Sequence, residues 1–295
     1  MKFRMVEELA FERQDVNQCC KTLGVSRGGY YAWLNRPLSR RETDNQVLAQ
    51  KIKELWEKSR KTYGLPRLKQ ELKKEKIICN KKRLSKLMKE QNIQGVGKRK
   101  FKVITTDSKH PYPIAERVFK TEEVKTQVTK VNQYWGGDIT YVPTGEGWLY
   151  LSVFMDLFTR KVVGHSMKET LHTELVLEAL EMGLKHQGII PNKDLVAHSD
   201  RGSQYASSDY TKKLNESGII ISHSRKGNCY DNAFVESFFK TLKVELVYQR
   251  KFKTREEAKK AIFEYIEVWY NRQRIHSSIE FMSPVEYENK LNQAA

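Results

Sequence analysis

Three acidic residues stand where an unneeded charge would be costly, and together they could act on a phosphodiester. Asp138 lies inside an apolar, strand-like stretch between Trp135 and Thr140, where an unpaired carboxylate is disfavoured. Asp200 comes just after the apolar run Leu195-Val196-Ala197, in His198-Ser199-Asp200-Arg201-Gly202. The carboxyl end of a central strand commonly lines the active-site crevice of an α/β sheet. Glu236 is a charge among Phe234, Val235, Phe238 and Phe239, and 35 residues separate it from Asp200. Three carboxylates can hold two Mg²⁺ ions about 3.5–4 Å apart, one activating a water or 3′-hydroxyl and the other stabilising the leaving oxygen. Hard oxygen ligands suit Mg²⁺, with Mn²⁺ as a substitute, and no His/Cys cluster competes for zinc. The four cysteines, at 19, 20, 79 and 229, lack C-x-x-C spacing and read as reduced structural thiols.

The elements that must position these groups follow from periodicity. Tyr134–Val142, Trp148–Met155 and Lys161–Met167 read as strands of an antiparallel meander, with a turn at Thr144-Gly145-Glu146-Gly147. A helix over Thr173–Gln187, a buried strand at Leu195–His198, a helix over Ser207–Ser217 and a short strand at Ile219–Ser222 come next. A long helix from about Asn232 to Val247 carries Glu236. One more amphipathic helix spans 254–272, and a tail runs through Pro284. Three strands followed by alternating helix and strand predict an α/β sheet of mixed direction. Gly136-Gly137, just before Asp138, is expected to loosen the first strand.

The first 95 residues read as helices. Asp15–Leu23 is amphipathic, Gly24 supplies a φ > 0 position, and Ser26 caps a helix through Leu34, so Leu23-Gly24-Val25-Ser26 is the turn of a helix-turn-helix. Its second helix offers Arg27, Tyr30 and Tyr31 to a major groove. Thr43–Arg60, Arg67–Lys76 opened by Pro66, and Lys81–Gln91 capped by Asn80 form a second helical unit. The expected organisation is a helical DNA-binding region over 1–95, with helix-turn-helix units at about 15–36 and 43–95. A basic linker over 96–130 containing Lys98-Arg99-Lys100, a catalytic core over 131–250, and a helix and tail over 251–295 complete it.

Charge is distributed unevenly. Residues 1–130 hold 32 Lys and Arg against 15 Asp and Glu, while the rest holds 21 of each, so the whole net charge of +17 lies in the first part. So basic a region points to a polyanion, most simply nucleic acid. No run of 18 apolar residues exists, and Glu7 and Glu8 stand where a signal peptide needs an apolar core. The expected location is cytoplasmic, associated with the nucleoid, with no membrane contact.

Residues 131–290 resemble the catalytic domain of IS3-family insertion-sequence transposases, relatives of retroviral integrases. The resemblance rests on Trp135-x-x-Asp138-Ile139-Thr140-Tyr141, Asp156-x-x-Thr159-Arg160-x-Val162-Val163-Gly164 and His198-Ser199-Asp200-Arg201-Gly202-Ser203-Gln204-Tyr205. Further support comes from Ser224-Arg225-Lys226-Gly227-Asn228-Cys229-x-Asp231-Asn232-Ala233-x-Val235-Glu236-Ser237-Phe238-Phe239 and from Tyr270-Asn271-x-x-Arg274-x-His276 with Ser283-Pro284. Upstream, Tyr63-Gly64, Arg67, Leu87-Met88 and Asn92-Ile93-Gln94-Gly95 are similar to the helical region that precedes this core. The resemblance implies an RNase H-like, integrase-type mixed sheet with flanking helices, preceded by an all-α helix-turn-helix region. It implies that Asp138, Asp200 and Glu236 ligate the metals, for strand cleavage at the element's ends and strand transfer into a target.

It also implies DNA partners at the inverted-repeat ends and the target, a homodimer or larger assembly on paired ends, and a polypeptide from an upstream reading frame. Lys243 and Lys240, on the helix of Glu236, and Asn232, four residues ahead of it, are candidate DNA contacts. A solvated lysine and a helix cap are the alternatives for Lys243 and Asn232. His198 reads as a satisfied core histidine, Asp156 as a cap on the turn into Arg160, and Asp231 as a helix-start residue. A nuclease or integrase of another mobile element, and a DNA-binding regulator with an inactive core, are the alternative functions.

Overall fold

The computed structural model describes residues 1–12, 15–97, 114–118, 127–189, 194–224 and 232–294. Its first helices, α1 (Lys2–Phe11), α2 (Val16–Thr22) and α3 (Arg27–Leu34), close on a small core of Val6, Cys19, Cys20 and Tyr30. The turn between α2 and α3 is built as its residues require. Gly24 takes φ +63°, Val25 packs against the core, and the Ser26 hydroxyl accepts the Gly29 N–H at 3.0 Å.

The second unit comprises α4 (Arg40–Lys58), α5 (Leu65–Lys74) and α6 (Lys81–Glu90). Helix α4 begins three residues before the apolar periodicity predicts, because Ser39 and Glu42 form a reciprocal capping box. Asn80 caps α6 as expected, its side chain accepting the Arg83 N–H at 2.7 Å.

Five strands form one sheet in the order β3-β2-β1-β4-β5: β1 (Tyr134–Thr144), β2 (Gly147–Asp156), β3 (Val162–Lys168), β4 (Val196–Ser199) and β5 (Ile220–His223). The first three are antiparallel, and β4 runs parallel to both β1 and β5. This is the RNase H-like order. Helix α7 (Thr173–His186) covers one face, with the short α8 (Ser203–Ala206), absent from the periodicity reading, and α9 (Ser208–Glu216). Helix α10 (Ala233–Glu245) covers the other.

The carboxyl-terminal segment departs from expectation twice. The helix predicted over 254–272 is α11 (Arg255–Glu264) followed by a π-helical turn, Tyr265–Tyr270, in which Asn271 N–H reaches Ile266 O at 3.0 Å. The supposed tail contains a helix, α12 (Pro284–Ala294), which the loop-like look of Ser283-Pro284 conceals although proline suits a helix start.

Leu48, Ile52, Leu55, Tyr63, Leu68 and Leu72 of the second helical unit belong to the same buried cluster as Val142 and Leu149 of the sheet, Phe238 and Leu242 of α10, and Ile262, Trp269 and Ile275 near the carboxyl terminus. Packing is continuous across residue 250. Polar contacts reinforce the join, since the Tyr63 hydroxyl accepts the Ile275 N–H at 2.9 Å. Arg274 grips Glu245 at the end of α10, with Nη2 to Oε1 at 2.8 Å and Nε to Oε2 at 3.0 Å, and the two side chains are 5% and 6% exposed. No described helix is long and apolar enough to cross a membrane.

Removing one member of a buried ion pair strands the other. Glu245→Gln is therefore expected to destabilise the fold by about 3–5 kcal/mol, read by urea denaturation. A change under about 1 kcal/mol would mean that Arg274 finds another partner or water.

Candidate active site

Strand register brings the two aspartates together. Gly136 pairs with His198 across the parallel β1/β4 ladder, and Asp138 and Asp200 each lie two residues beyond that pair. Matching positions on neighbouring strands are about 4.8 Å apart, and residues two apart share a face. That face also carries Tyr134 and His198, whose rings stack at 5.6 Å. Both aspartates are half-buried. Asp138 Oδ1 accepts the Ile139 N–H at 2.8 Å, and Asp200 Oδ1 accepts the Gly202 N–H at 2.9 Å. Burial holds the Asp138 carboxyl well above the usual carboxylate range, and the charges of Asp200 and Glu236 add to this. The Ile139 N–H and the Lys243 ammonium act against it.

Helix α10 brings the third acid. It lays Val235, Phe238, Phe239 and Leu242 on the sheet and leaves Glu236, Lys240 and Lys243 along one flank. Its start approaches β1 so closely that a Cβ on Gly136 would fall 2.3 Å from the Phe234 ring and 2.8 Å from Asn232 Oδ1. The glycine pair that looked like a weak point thus makes room for the helix. Asn232, buried, donates its side-chain N–H to Gly137 O at 2.9 Å and makes no side-chain cap bond to α10. It ties the Glu236 helix to the Asp138 strand.

Glu236 is exposed; partial burial of its carboxyl raises its pKa, against the pull of Lys240. Lys243 is half-buried, its ammonium 5.2 Å from the centroid of Tyr141, and burial lowers its pKa while the Asp138 charge raises it. The charges of Asp200 and Glu236 act on Asp138, yet among the described residues no three His, Cys, Asp or Glu side chains gather closely enough to hold a metal ion.

Other expected positions sort by burial. His198 is buried, its Nδ1 2.9 Å from Ser222 Oγ, as a core histidine should be. Asp156 closes the turn before Arg160: Oδ1 accepts the Thr159 N–H and hydroxyl at 2.7 and 2.8 Å, and Oδ2 accepts the Asn132 N–H at 2.8 Å. Tyr30, expected to face a groove, is 4% exposed in the core of the first unit because its ring packs over Cys19 and Cys20. Tyr31 is the exposed tyrosine, and the Arg27 guanidinium lies 5.7 Å from its ring centroid. Lys98, Arg99, Lys100, Asn228, Cys229 and Asp231 lie outside the described residues. Sequence reasoning missed Tyr205, fully buried and close enough for both aspartates to raise its pKa, after burial. Its place five residues beyond Asp200 was the available signal.

Family models match the chain in three places. Two integrase core domain models match residues 128–229 and 236–291, and an HTH-like domain model matches 42–101. The transposase InsF of insertion sequence IS3A from Escherichia coli K12 is 36% identical over 292 residues, covering 98% of this chain and 99% of that protein. The chain belongs to the IS3-family insertion-sequence transposases.

An uncharacterized 31 kDa protein of insertion element IS600 from Shigella sonnei is 43% identical to this transposase over 276 residues, covering 94% of this chain and 99% of its own. Among solved structures, the HTLV-2 integrase catalytic core domain in complex with magnesium aligns at 17% identity and TM-score 0.41, covering 53% of this chain and 96% of that one. A simian T-cell lymphotropic virus intasome in complex with a PP2A regulatory subunit aligns at 14% identity and TM-score 0.45, covering 80% and 74%. Strand order, not these alignments, identifies the fold. As a member of its family, the transposase is a polynucleotidyl transferase.

The raised pKa of Asp138 has a sign that can be tested. Its folded form binds a proton more tightly than the unfolded chain, so metal-free stability falls as pH rises from the ordinary carboxylate range through the raised value. At neutral pH, Asp138→Asn should raise the melting temperature of the metal-free protein in calorimetry. A lower one would indicate that the carboxylate stabilises the fold. Gly136→Ala should cost about 1–3 kcal/mol by overpacking against Phe234, measured by denaturant unfolding.

Proposed function

We propose that Asp138, Asp200 and Glu236 are the catalytic residues of this transposase and bind two divalent cations, Mg²⁺ with Mn²⁺ as a substitute, for cleavage at the element's ends and strand transfer into target DNA. The observation that carries this is the aspartate pair: Asp138 on β1 and Asp200 just past the end of β4 each lie two residues beyond the Gly136–His198 pair, and the Asp200 charge raises the Asp138 pKa. The donor set fits the ions: hard carboxylate oxygens on a half-open face, where burial and the neighbouring acids raise the Asp138 pKa. Bound there, the ions would supply Lewis-acid chemistry, activating the attacking oxygen and stabilising the leaving one.

The chain's own groups do the rest. Ile139 and Gly202 N–H groups orient one oxygen of each aspartate. Lys243, facing Asp138 from α10, would meet the negative charge of the scissile phosphate. Asn232 acts as a strut between β1 and α10.

The basic helical region over 1–95 would bind the inverted-repeat ends, with Arg27 and Tyr31 exposed on α3. The linker over 96–130, with Lys98-Arg99-Lys100, would follow the DNA backbone, and the core would extend over 131–250 ahead of a carboxyl-terminal segment. Pairing of two ends calls for at least a dimer on DNA, with a polypeptide from an upstream reading frame as a further partner. Acting on chromosomal DNA would place the protein at the nucleoid.

Asp200→Asn is expected to reduce Mg²⁺-dependent cleavage of a labelled element end by at least about 10³-fold while DNA affinity changes less than about threefold. Electrophoretic assays of both quantities decide the matter. Cleavage that survives the substitution would rule out this triad.

A further inference from the structure

Three guanidiniums gather on the side of the catalytic face where the second helical unit meets the carboxyl-terminal segment. Arg274 is paired with Glu245, whose oxygens also accept the Tyr265 hydroxyl at 2.8 Å, and its Nη1 lies 3.2 Å from His276 Nε2. Arg67, on α5, and Arg160, in the β2–β3 turn, differ. Both are half-buried, and neither guanidinium has a hydrogen-bond or ion-pair partner among the described residues. Each is braced on an aromatic face: Arg67 lies 5.4 Å from the Tyr63 ring centroid and Arg160 5.7 Å from that of Phe234. Burial pulls both below the ordinary arginine pKa. Glu245 and Asp156 act on Arg67 and Arg160 through space only, and a half-desolvated guanidinium with no carboxylate in hydrogen-bond reach is in the state that an incoming anion satisfies.

The placement of the braces relates the two arginines to the acids. Phe234 sits two residues ahead of Glu236, and its ring fills the space left by Gly136, two residues ahead of Asp138. Arg160 therefore borders the acidic face. Asn271 accepts the Val162 N–H at 3.0 Å and donates to its carbonyl at 2.9 Å, which fixes the turn carrying Arg160 against the Tyr270-Asn271-x-x-Arg274-x-His276 segment. The Tyr63 hydroxyl fixes the other side of that segment through Ile275 N. Between them stands His276, edge-on to Tyr270 at 4.8 Å. Burial and the charges of Arg274, Arg67 and Arg160 hold its imidazole well below its ordinary pKa.

We propose that Arg160 and Arg67, with His276 between them and Arg274 as the floor, form a phosphate-binding track for the DNA strand that leaves the acidic site toward the second helical unit. The ligand is the phosphodiester backbone, read by charge and fork geometry without regard to base sequence. The track joins a residue of the helical region to a residue of the catalytic sheet, so a strand lying on it is registered by both at once.

The test measures fluorescence anisotropy of a labelled random-sequence duplex and a labelled element-end duplex, across a sodium chloride series, with the full-length chain. Arg67→Gln and Arg160→Gln should each lower the slope of log affinity against log salt by about 0.9, equally on both duplexes. An unchanged slope in a variant that retains its circular dichroism and melting temperature overturns the proposal. Should the variants unfold, phenylglyoxal modification of the wild-type protein, mapped by mass spectrometry, decides. Protection of Arg67 and Arg160 by the duplex supports the track. Absence of protection, or protection by inorganic phosphate but not by DNA at matched ionic strength, overturns it. Wild-type cleavage of the element-end duplex is scored in parallel, so failure of the track is distinguishable from failure of the triad.

Discussion

The repulsion between two carboxylates, one on a strand and one just past the end of its parallel neighbour, is what the surrounding structure must withstand. Asp138 and Asp200 each follow the Gly136–His198 pair by two residues, Asp138 within β1 and Asp200 just past the end of β4, because β1 and β4 are adjacent and parallel. A one-residue slip of either strand would turn its aspartate to the opposite face, where Trp135, Phe154 and Ala197 pack. The wall of apolar residues on both faces therefore fixes register and, through it, the acidic pair.

Opposition to that repulsion is distributed. Backbone N–H groups of Ile139 and Gly202 each hold one aspartate oxygen, and Lys243 offers a counter-charge from the helix above. Asn232 and the bare backbone at Gly136 bring that helix down onto the strand. Its far end is secured by Glu245 and Arg274 in a dry environment. One helix thus carries Glu236 beside the Asp138 strand at its start and meets the carboxyl-terminal segment at its finish.

Much of this was legible in the residues. The meander, the alternation that follows it, and the caps at Ser26 and Asn80 came from period and cap chemistry, which are local signals. Acids set among apolar neighbours marked Asp138 and Glu236, because a charge in such company needs a reason. What was hidden depended on tertiary contact. Gly136-Gly137 reads as slack until Phe234 occupies the space beside it. Tyr30 and Tyr31 are indistinguishable as a pair, and only the packing of α1 and α2 shows which is inside. Arg67, Arg160 and His276 lie far apart along the chain, and no spacing rule could have joined them.

The π-helical turn at Tyr265–Tyr270 carries a consequence for insertion and deletion. An α-helix given one residue too many must either expel it or widen, and here it widens. The wider coil lets Tyr265, Ile266, Trp269 and Tyr270 all point inward and delivers the Asn271 amide to the Val162 backbone. Shortening this turn by one position would rotate everything downstream by roughly 100°. The amide would swing off the sheet, and the segment that meets the helical unit would lose its alignment. Length at this point of the chain is consequently as constrained as residue type.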